Sequence, residues 1–288
     1  MKNPPPSGGR AAALLLCLSS VLALAACAGA WKDGAGGAHG PAASPANATP
    51  TPQAGAGPGG EFLQRTVEVA GRRYGYQLYN PAGTQPGEKR PVLLFLHGTG
   101  EGFLPAPRKE GEVGLAPEVM REQIRAPFVA VFPHCPDCHQ WTNAGGEALA
   151  LAALDAAVAE FGGDPERLYL TGVSMGGIGA WHLASRHPNK FAAVVVVSGR
   201  SPSEGRSKDP YGEVARAIGR TPVWVFHGAE DAVVPTRKGR LMRDALERAG
   251  AVYTYTEYPG VGHNAWERAY AEREMWDWLA RQRLGRKD

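Results

Sequence analysis

Arg167-Leu168-Tyr169-Leu170-Thr171-Gly172-Val173-Ser174-Met175-Gly176-Gly177-Ile178 runs from a short apolar segment through Gly-x-Ser-x-Gly into a helical pattern. Residues 167–171 read as a buried strand, and residues 178–187 place Trp181 and Leu183 as apolar contacts of a helix. A serine between them sits at the tip of a sharp strand-to-helix turn, a nucleophile elbow. That turn strains the backbone, and side chains at positions 172 and 176 would collide with adjacent elements, which is why glycine stands at both. Gly-x-Ser-x-Gly is common by chance. Its placement between strand and helix is what makes Ser174 a candidate nucleophile.

Such a serine on an α/β sheet needs an acid and then a histidine further along the chain. Seven of the eight histidines precede the best acid candidate, so His263 alone can close the order. It stands in Pro259-Gly260-Val261-Gly262-His263, a glycine-rich loop after the alternating strand Val252-Tyr253-Thr254-Tyr255-Thr256. The acid is expected just past the preceding strand, Thr221-Pro222-Val223-Trp224-Val225-Phe226-His227, where a loop at the carboxyl edge of the sheet can reach the imidazole. Gly228-Ala229-Glu230-Asp231 offers two carboxylates there. Asp231 is taken as the acid, partly on the resemblance described below, with Glu230 as the alternative expected to face solvent. Oxyanion donors are also needed, worth a few kcal/mol. The apolar run Pro91-Val92-Leu93-Leu94-Phe95-Leu96 ends in His97-Gly98-Thr99-Gly100, so the amides of Thr99 and Met175 are the candidates. His97 is expected to be structural, packing under that loop.

His97-Gly98-Thr99-Gly100-Glu101, the Ser174 elbow, Val225-Phe226-His227-Gly228-Ala229-Glu230-Asp231 with Val234-Pro235, and Tyr258-Pro259-Gly260-Val261-Gly262-His263 with Trp266 occur in this order. Together they resemble the polyhydroxybutyrate-depolymerase and feruloyl-esterase-like branch of the α/β-hydrolases, over residues 62–283. The resemblance implies a serine hydrolase of carboxylic esters that uses no cofactor and no metal, acting on a small-molecule or polymer-attached ester. Peptide hydrolysis on the same three residues is the nearest alternative. A ligand-binding surface lipoprotein on an inactive hydrolase scaffold is another. Phe103-Leu104-Pro105-Ala106-Pro107 is a more apolar insert than that branch leads one to expect.

The chain opens with Lys2 and Arg10 ahead of an apolar stretch over residues 11–26, interrupted only by Ser19 and Ser20. Residues 1–26 therefore read as a signal peptide. Leu24-Ala25-Ala26-Cys27 resembles a bacterial lipobox, which would leave Cys27 as a lipid-bearing N-terminus and anchor the chain to a membrane outside the cytoplasm. Plain secretion is the alternative. Residues 27–60, rich in Gly, Ala and Pro, have too little apolar surface to order themselves and read as a flexible tether.

Residues 61–288 are then one catalytic domain with a mostly parallel central sheet flanked by helices. An antiparallel entry hairpin is expected at residues 62–70 and 73–80. Further strands are expected at 91–97, 128–132, 167–171, 192–198, 221–227 and 251–258. Helices are expected at 147–161 and, closing the domain, at 266–284. Trp181, Trp276 and Leu279 are read as core, while Trp141 and Trp266 could fill core or line a pocket. Residues 199–220 leave room for one short helix and no large lid.

Of four cysteines, Cys17 leaves with the leader and Cys27 takes lipid. Cys135 and Cys138 remain, in His134-Cys135-Pro136-Asp137-Cys138-His139, and a local disulfide is the plain reading outside the cytoplasm. A Zn²⁺ site would need four ligands packed too tightly for tetrahedral geometry. A thioredoxin-like role is disfavoured because Gln140-Trp141-Thr142-Asn143 lacks a strong helix start. The net charge of +3, with no interleaving of basic and aromatic residues, gives nucleic-acid binding no support.

Overall fold

The computed structural model describes residues 60–83, 87–99, 128–135 and 140–285. The leader, Cys27, the tether, residues 100–127 with their apolar insert, and Cys138 lie outside them. The strands follow from two kinds of apolar pattern. β1 (Gly60–Val69) and β2 (Arg72–Pro81) alternate around Gly71, whose φ of 75° permits the tight reversal, and they pair antiparallel from Gly60↔Pro81 to Val69↔Arg72. β3 (Arg90–Leu96), β4 (Val129–Pro133), β5 (Gly163–Val173), β6 (Ala193–Val197), β7 (Val223–Gly228) and β8 (Tyr253–Tyr258) complete the sheet. The central strands are apolar over most of their length because both their faces are covered.

The eight strands form one sheet in the order β1-β2-β4-β3-β5-β6-β7-β8. β2 pairs antiparallel with both β1 and β4, and every other neighbouring pair is parallel. The order reverses between β4-β3 and β5, so the loops at the carboxyl ends of β3 and β5 flank a switch point where ligands bind in open α/β sheets.

Six helices are described: α1 (Ala144–Phe161), α2 (Met175–Arg186), α3 (Pro210–Ile218), α4 (Arg237–Arg248), α5 (Trp266–Ala269) and α6 (Arg273–Arg281). One apolar core unites one face of the sheet with α1 to α4, through residues such as Leu154, Trp181, Val214 and Leu246. A second core unites the other face with Tyr270, Met275, Trp276 and Leu279 near and on α6. Trp181, Trp276 and Leu279 are thus core residues, as expected.

Three expectations need correction. The closing helix is two helices, α5 and α6, broken at residues 270–272, because Tyr270 is spent on the core. Its hydroxyl bonds Thr171 Oγ1 at 2.8 Å, and its carbonyl accepts Trp276 Nε1–H at 2.8 Å. Residues 140–143 do start a helix: Asn143 caps α1, its side-chain oxygen accepting Gly146 N–H at 2.8 Å. Finally, β5 begins at Gly163 rather than near 167. Gly163 pairs with Arg90, and Asp164, beside Pro165, is held by Arg167 and Arg283, which keeps this polar stretch extended.

Candidate active site

Ser174 follows β5 with φ 53° and ψ −114°, a strained conformation at the junction with α2. Its N–H donates to Val197 O at 2.9 Å, tying the turn to the end of β6, and its carbonyl accepts Ile178 N–H at 3.0 Å. The glycines are required by contact. A Cβ at Gly172 would lie 2.2 Å from Gly176 O, and one at Gly176 would lie 1.8 Å from Leu96 O. The elbow is therefore pressed against the end of β3. Met175, at the first turn of α2, lines the same cavity as Thr99 and Ser174.

The acid and histidine loops leave β7 and β8 and lie against each other. Ala229 N–H donates to Tyr258 O and Glu230 N–H to Val261 O, each at 2.9 Å, while Gly228 has no room for a Cβ beside Gly262 O. Asp231 is buried and Glu230 exposed, which separates the two neighbouring carboxylates. Asp231 Oδ1 accepts the N–H groups of Val233 and Val234 at 2.9 Å each, which fixes its rotamer. Its Oδ2 lies 2.8 Å from His263 Nδ1, and His263 Nε2 lies 2.8 Å from Ser174 Oγ. With Nδ1–H donated to the carboxylate, Nε2 is an acceptor for the serine hydroxyl. The residues singled out in the sequence as nucleophile, base and acid thus form one hydrogen-bonded line.

Several neighbours hold that line. The Trp266 and His263 rings meet edge to face at 88°, with centroids 5.5 Å apart. Ser198, at the end of β6, donates its hydroxyl to His263 O at 3.1 Å. His227 lies fully buried behind the acid, donating Nε2–H to Val234 O at 2.8 Å, with Nε2 also 3.4 Å from Asp231 Oδ2. Burial pushes its pKa down, with the bond to Val234 O opposing.

His97 sits under the loop after β3, as expected. Its Nδ1–H donates to Gly98 O at 2.9 Å, its Nε2 lies 3.4 Å from Cys135 N, and its carbonyl accepts Trp141 Nε1–H at 2.9 Å. Burial lowers its pKa to about 4, so it is neutral at neutral pH. Trp141 is core and also lines the cavity, so both readings of it hold.

That cavity encloses about 520 Å³. Ser174, Met175 and Thr99 border it, with Trp141, Ile178 and Val234 as apolar wall. Arg200, Glu204 and Arg206 from the β6–α3 loop supply a charged wall. Among the described residues no group of three or more His, Cys, Asp or Glu side chains could hold a metal ion.

The Phospholipase/Carboxylesterase family matches over residues 152–275, a span containing Ser174, Asp231 and His263. A thermostable esterase of known crystal structure superposes with a TM-score of 0.65 at 28% identity, covering 77% of this chain and 63% of its own. The chain belongs to the α/β-hydrolase superfamily. The α/β-hydrolase likeness extends to carboxylesterase SOBER1 of Arabidopsis thaliana, 31% identical over 127 residues, which are 43% of this chain and 53% of that protein. Acyl-protein thioesterase 1 of Gibberella zeae is 32% identical over 101 residues, 35% of this chain and 43% of its own length. The chain thus spans about half the length of these curated relatives. Among α/β-hydrolase features, the mostly parallel sheet, its antiparallel entry hairpin and the strand-to-helix turn at Ser174 were expected from the chain, whereas the order of the strands was not.

Ser198, His227, Arg200, Glu204 and Arg206 were not singled out as site residues. Ser198 had a signal: it ends the strand beside the elbow strand, at the carboxyl edge where sites form. His227 had one as well, four residues before Asp231. The loop residues had none, since their approach to Ser174 depends on a loop without periodicity.

Proposed function

We propose that this chain is a serine hydrolase of carboxylic esters in which Ser174 is the nucleophile, His263 the general base and acid, and Asp231 its orienting carboxylate. The observation carrying this reading is the continuous pair of 2.8 Å hydrogen bonds from Ser174 Oγ through His263 to Asp231 Oδ2. In the first half-reaction Oγ attacks the ester carbonyl carbon as its proton passes to Nε2, and Asp231 stabilises the imidazolium. Oxygen charge then develops where the amides of Thr99 and Met175 would donate, worth about 3 kcal/mol for one such donor. His263 returns the proton to the leaving alkoxide, which departs as alcohol. Water then attacks the acyl-enzyme by the same route, giving the carboxylic acid and free Ser174.

The reading extends to location and covalent state. The leader and Cys27 make the chain an extracytoplasmic lipoprotein held to a bacterial membrane through residues 27–60. Cys135, buried at the end of β4, pairs with Cys138 across two intervening residues and so stiffens the loop that meets His97.

A fluorophosphonate probe applied to the folded chain, with the adduct located by mass spectrometry, tests the assignment. One adduct, on Ser174, is expected, together with ester turnover that Ser174→Ala abolishes. Absence of an adduct in folded protein would refute it. Peptide turnover without ester turnover would keep the triad and replace the substrate class.

A further inference from the structure

The loop from β6 to α3 is built to hold its side chains in place. Ser201 and Pro202 are buried, Ser201 Oγ donates to Pro210 O and accepts Ser203 N–H, and Arg206 Nη2 donates to Pro202 O. This loop turns Arg200, Glu204 and Arg206 toward the cavity that Ser174 borders. The charges there do not cancel. Glu204 is taken up mainly by others, since it pairs with the Lys238 ammonium and accepts the Tyr211 hydroxyl at 3.3 Å. Burial would raise the Glu204 carboxyl, but Lys238, Arg200 and Tyr211 together outweigh it and hold the pKa below its ordinary value, so the group is ionised at neutral pH.

Arg200 reaches Glu204 only at 3.3 Å and Ser201 O at 3.4 Å, both from Nη1. Charge-assisted pairs lie at about 2.7–2.9 Å, so these contacts are loose. Nε and Nη2 of Arg200 have no hydrogen-bond partner among the described residues. Arg206 has an ion pair with no described carboxylate, and its one bond there is to a neutral carbonyl. Among the described residues, two guanidinium groups thus stand in the wall with one carboxylate already shared with a lysine. A concave wall with an excess of one charge concentrates counter-ions of the opposite sign.

One part of the cavity wall fits a hydrocarbon, although Thr99, Gln140 and Thr142 are polar lining residues. Trp141, Ile178 and Val234 line it, and so does Val233, a large apolar side chain left 69% exposed beside the acid loop. A neutral apolar ester offers the partly exposed arginine N–H donors nothing beyond water, whereas an anion offers them charge-assisted partners.

We propose that the ester cleaved at Ser174 carries an anionic group, of carboxylate type, held by Arg200 and Arg206 while its hydrocarbon part lies on Trp141, Ile178 and Val233. This rests on the hydrolase reading above. The arginines act as specificity-determining residues: they recognise a part of the substrate away from the scissile bond and leave the bond-making steps to Ser174 and His263. The anion can belong to the acyl or the alcohol half, and the test separates the two.

Three esters of similar size serve as probes with the full chain: p-nitrophenyl butyrate, the p-nitrophenyl monoester of glutaric acid, and the butyrate ester of 4-hydroxybenzoic acid. The expected result is a preference of about tenfold or more in kcat/KM for one anionic ester over its neutral counterpart, carried by KM. The preference should shrink as salt rises. Preference for the glutarate ester places the anion in the acyl half, and preference for the hydroxybenzoate ester places it in the alcohol half. In the double variant Arg200→Gln, Arg206→Gln the preference should fall toward one, while labelling of Ser174 by a neutral fluorophosphonate reports that the elbow is still formed. Equal turnover of charged and neutral esters by a chain that labels at Ser174 overturns this proposal alone, as does a preference that survives in the double variant. No labelling and no turnover of any ester overturns the hydrolase reading, and this proposal falls with it.

Discussion

Replacing His97 by glutamine should change how stability depends on pH, by an amount the burial of the imidazole sets. The side chain is 5% exposed, and burial lowers its pKa from 6.5 to about 4, with the bond to Gly98 O opposing and His134 adding to the fall. Below pH 6.5 the unfolded chain binds a proton here that the folded chain refuses until about pH 4. Neutral His97 therefore contributes its full stability above pH 6.5, and the contribution drains away as pH falls toward 4. The drop in pKa, at about 1.4 kcal/mol per tenfold in proton affinity, makes the loss about 3 kcal/mol. Glutamine keeps an acceptor for the Cys135 amide and does not titrate. At pH 7 it should cost about 1–3 kcal/mol for the lost Gly98 bond and for packing on Trp141, whose ring centroid is 4.9 Å away. Urea unfolding followed by fluorescence at pH 7, 5.5 and 4.5 measures both proteins. The gap between them should close as pH falls, because only the parent loses the His97 contribution, while the other titrating groups act on both. A gap that stays constant from pH 7 to 4.5 would refute the reasoning and mean that His97 keeps its proton in the folded chain.

Gly176→Ala should cost about 4 kcal/mol or more or prevent folding, because the new Cβ would meet the main-chain oxygen of Leu96 at 1.8 Å. Gly75→Ala, with nothing within 4 Å, is its control, and equal thermal midpoints for the two variants would contradict the close approach of elbow and β3. Ser198→Ala removes the hydroxyl that holds His263 O, a loss of about 1 kcal/mol. The expected readout is a fall of about fivefold in kcat and in the rate of fluorophosphonate labelling with KM little changed, and an unaltered labelling rate would assign Ser198 no positioning role.

The sequence was most readable where chemistry restricts residue type. Gly172 and Gly176 are forced by atoms of other elements, so the elbow announced itself through what could not be there. His263 was singled out because the order Ser, acid, His left no other histidine, and Asp231 was preferred to Glu230 partly on the family resemblance. Interruptions were harder to read. Residues 266–284 keep helical spacing across Tyr270, and only its pairing with Thr171, 99 residues away in sequence, shows why the helix breaks. Asn143 was passed over as a helix start although asparagine is a strong cap, because Gly145 and Gly146 follow it and weaken the local pattern. The arginines of the β6–α3 loop gave no signal, since a loop's path is set by contacts such as Ser201 with Pro210 that no periodicity encodes.

The two loops carrying Asp231 and His263 are joined through main-chain atoms, by the Ala229 and Glu230 amides and by the bare approach of Gly228 to Gly262. The cavity wall opposite is joined through side chains, among them Ser201, Glu204 and Lys238. Inheritance acts on these two kinds of join differently. Point changes replace side chains and leave amides and carbonyls in place, so the spacing of the two loops tolerates substitution except where a side chain enters the contact, as at Gly228. The wall has no such protection, and each replacement there redraws what the cavity admits. On this frame the lining of the cavity can be altered one residue at a time while the main-chain joins that space Asp231 from His263 stay as they are.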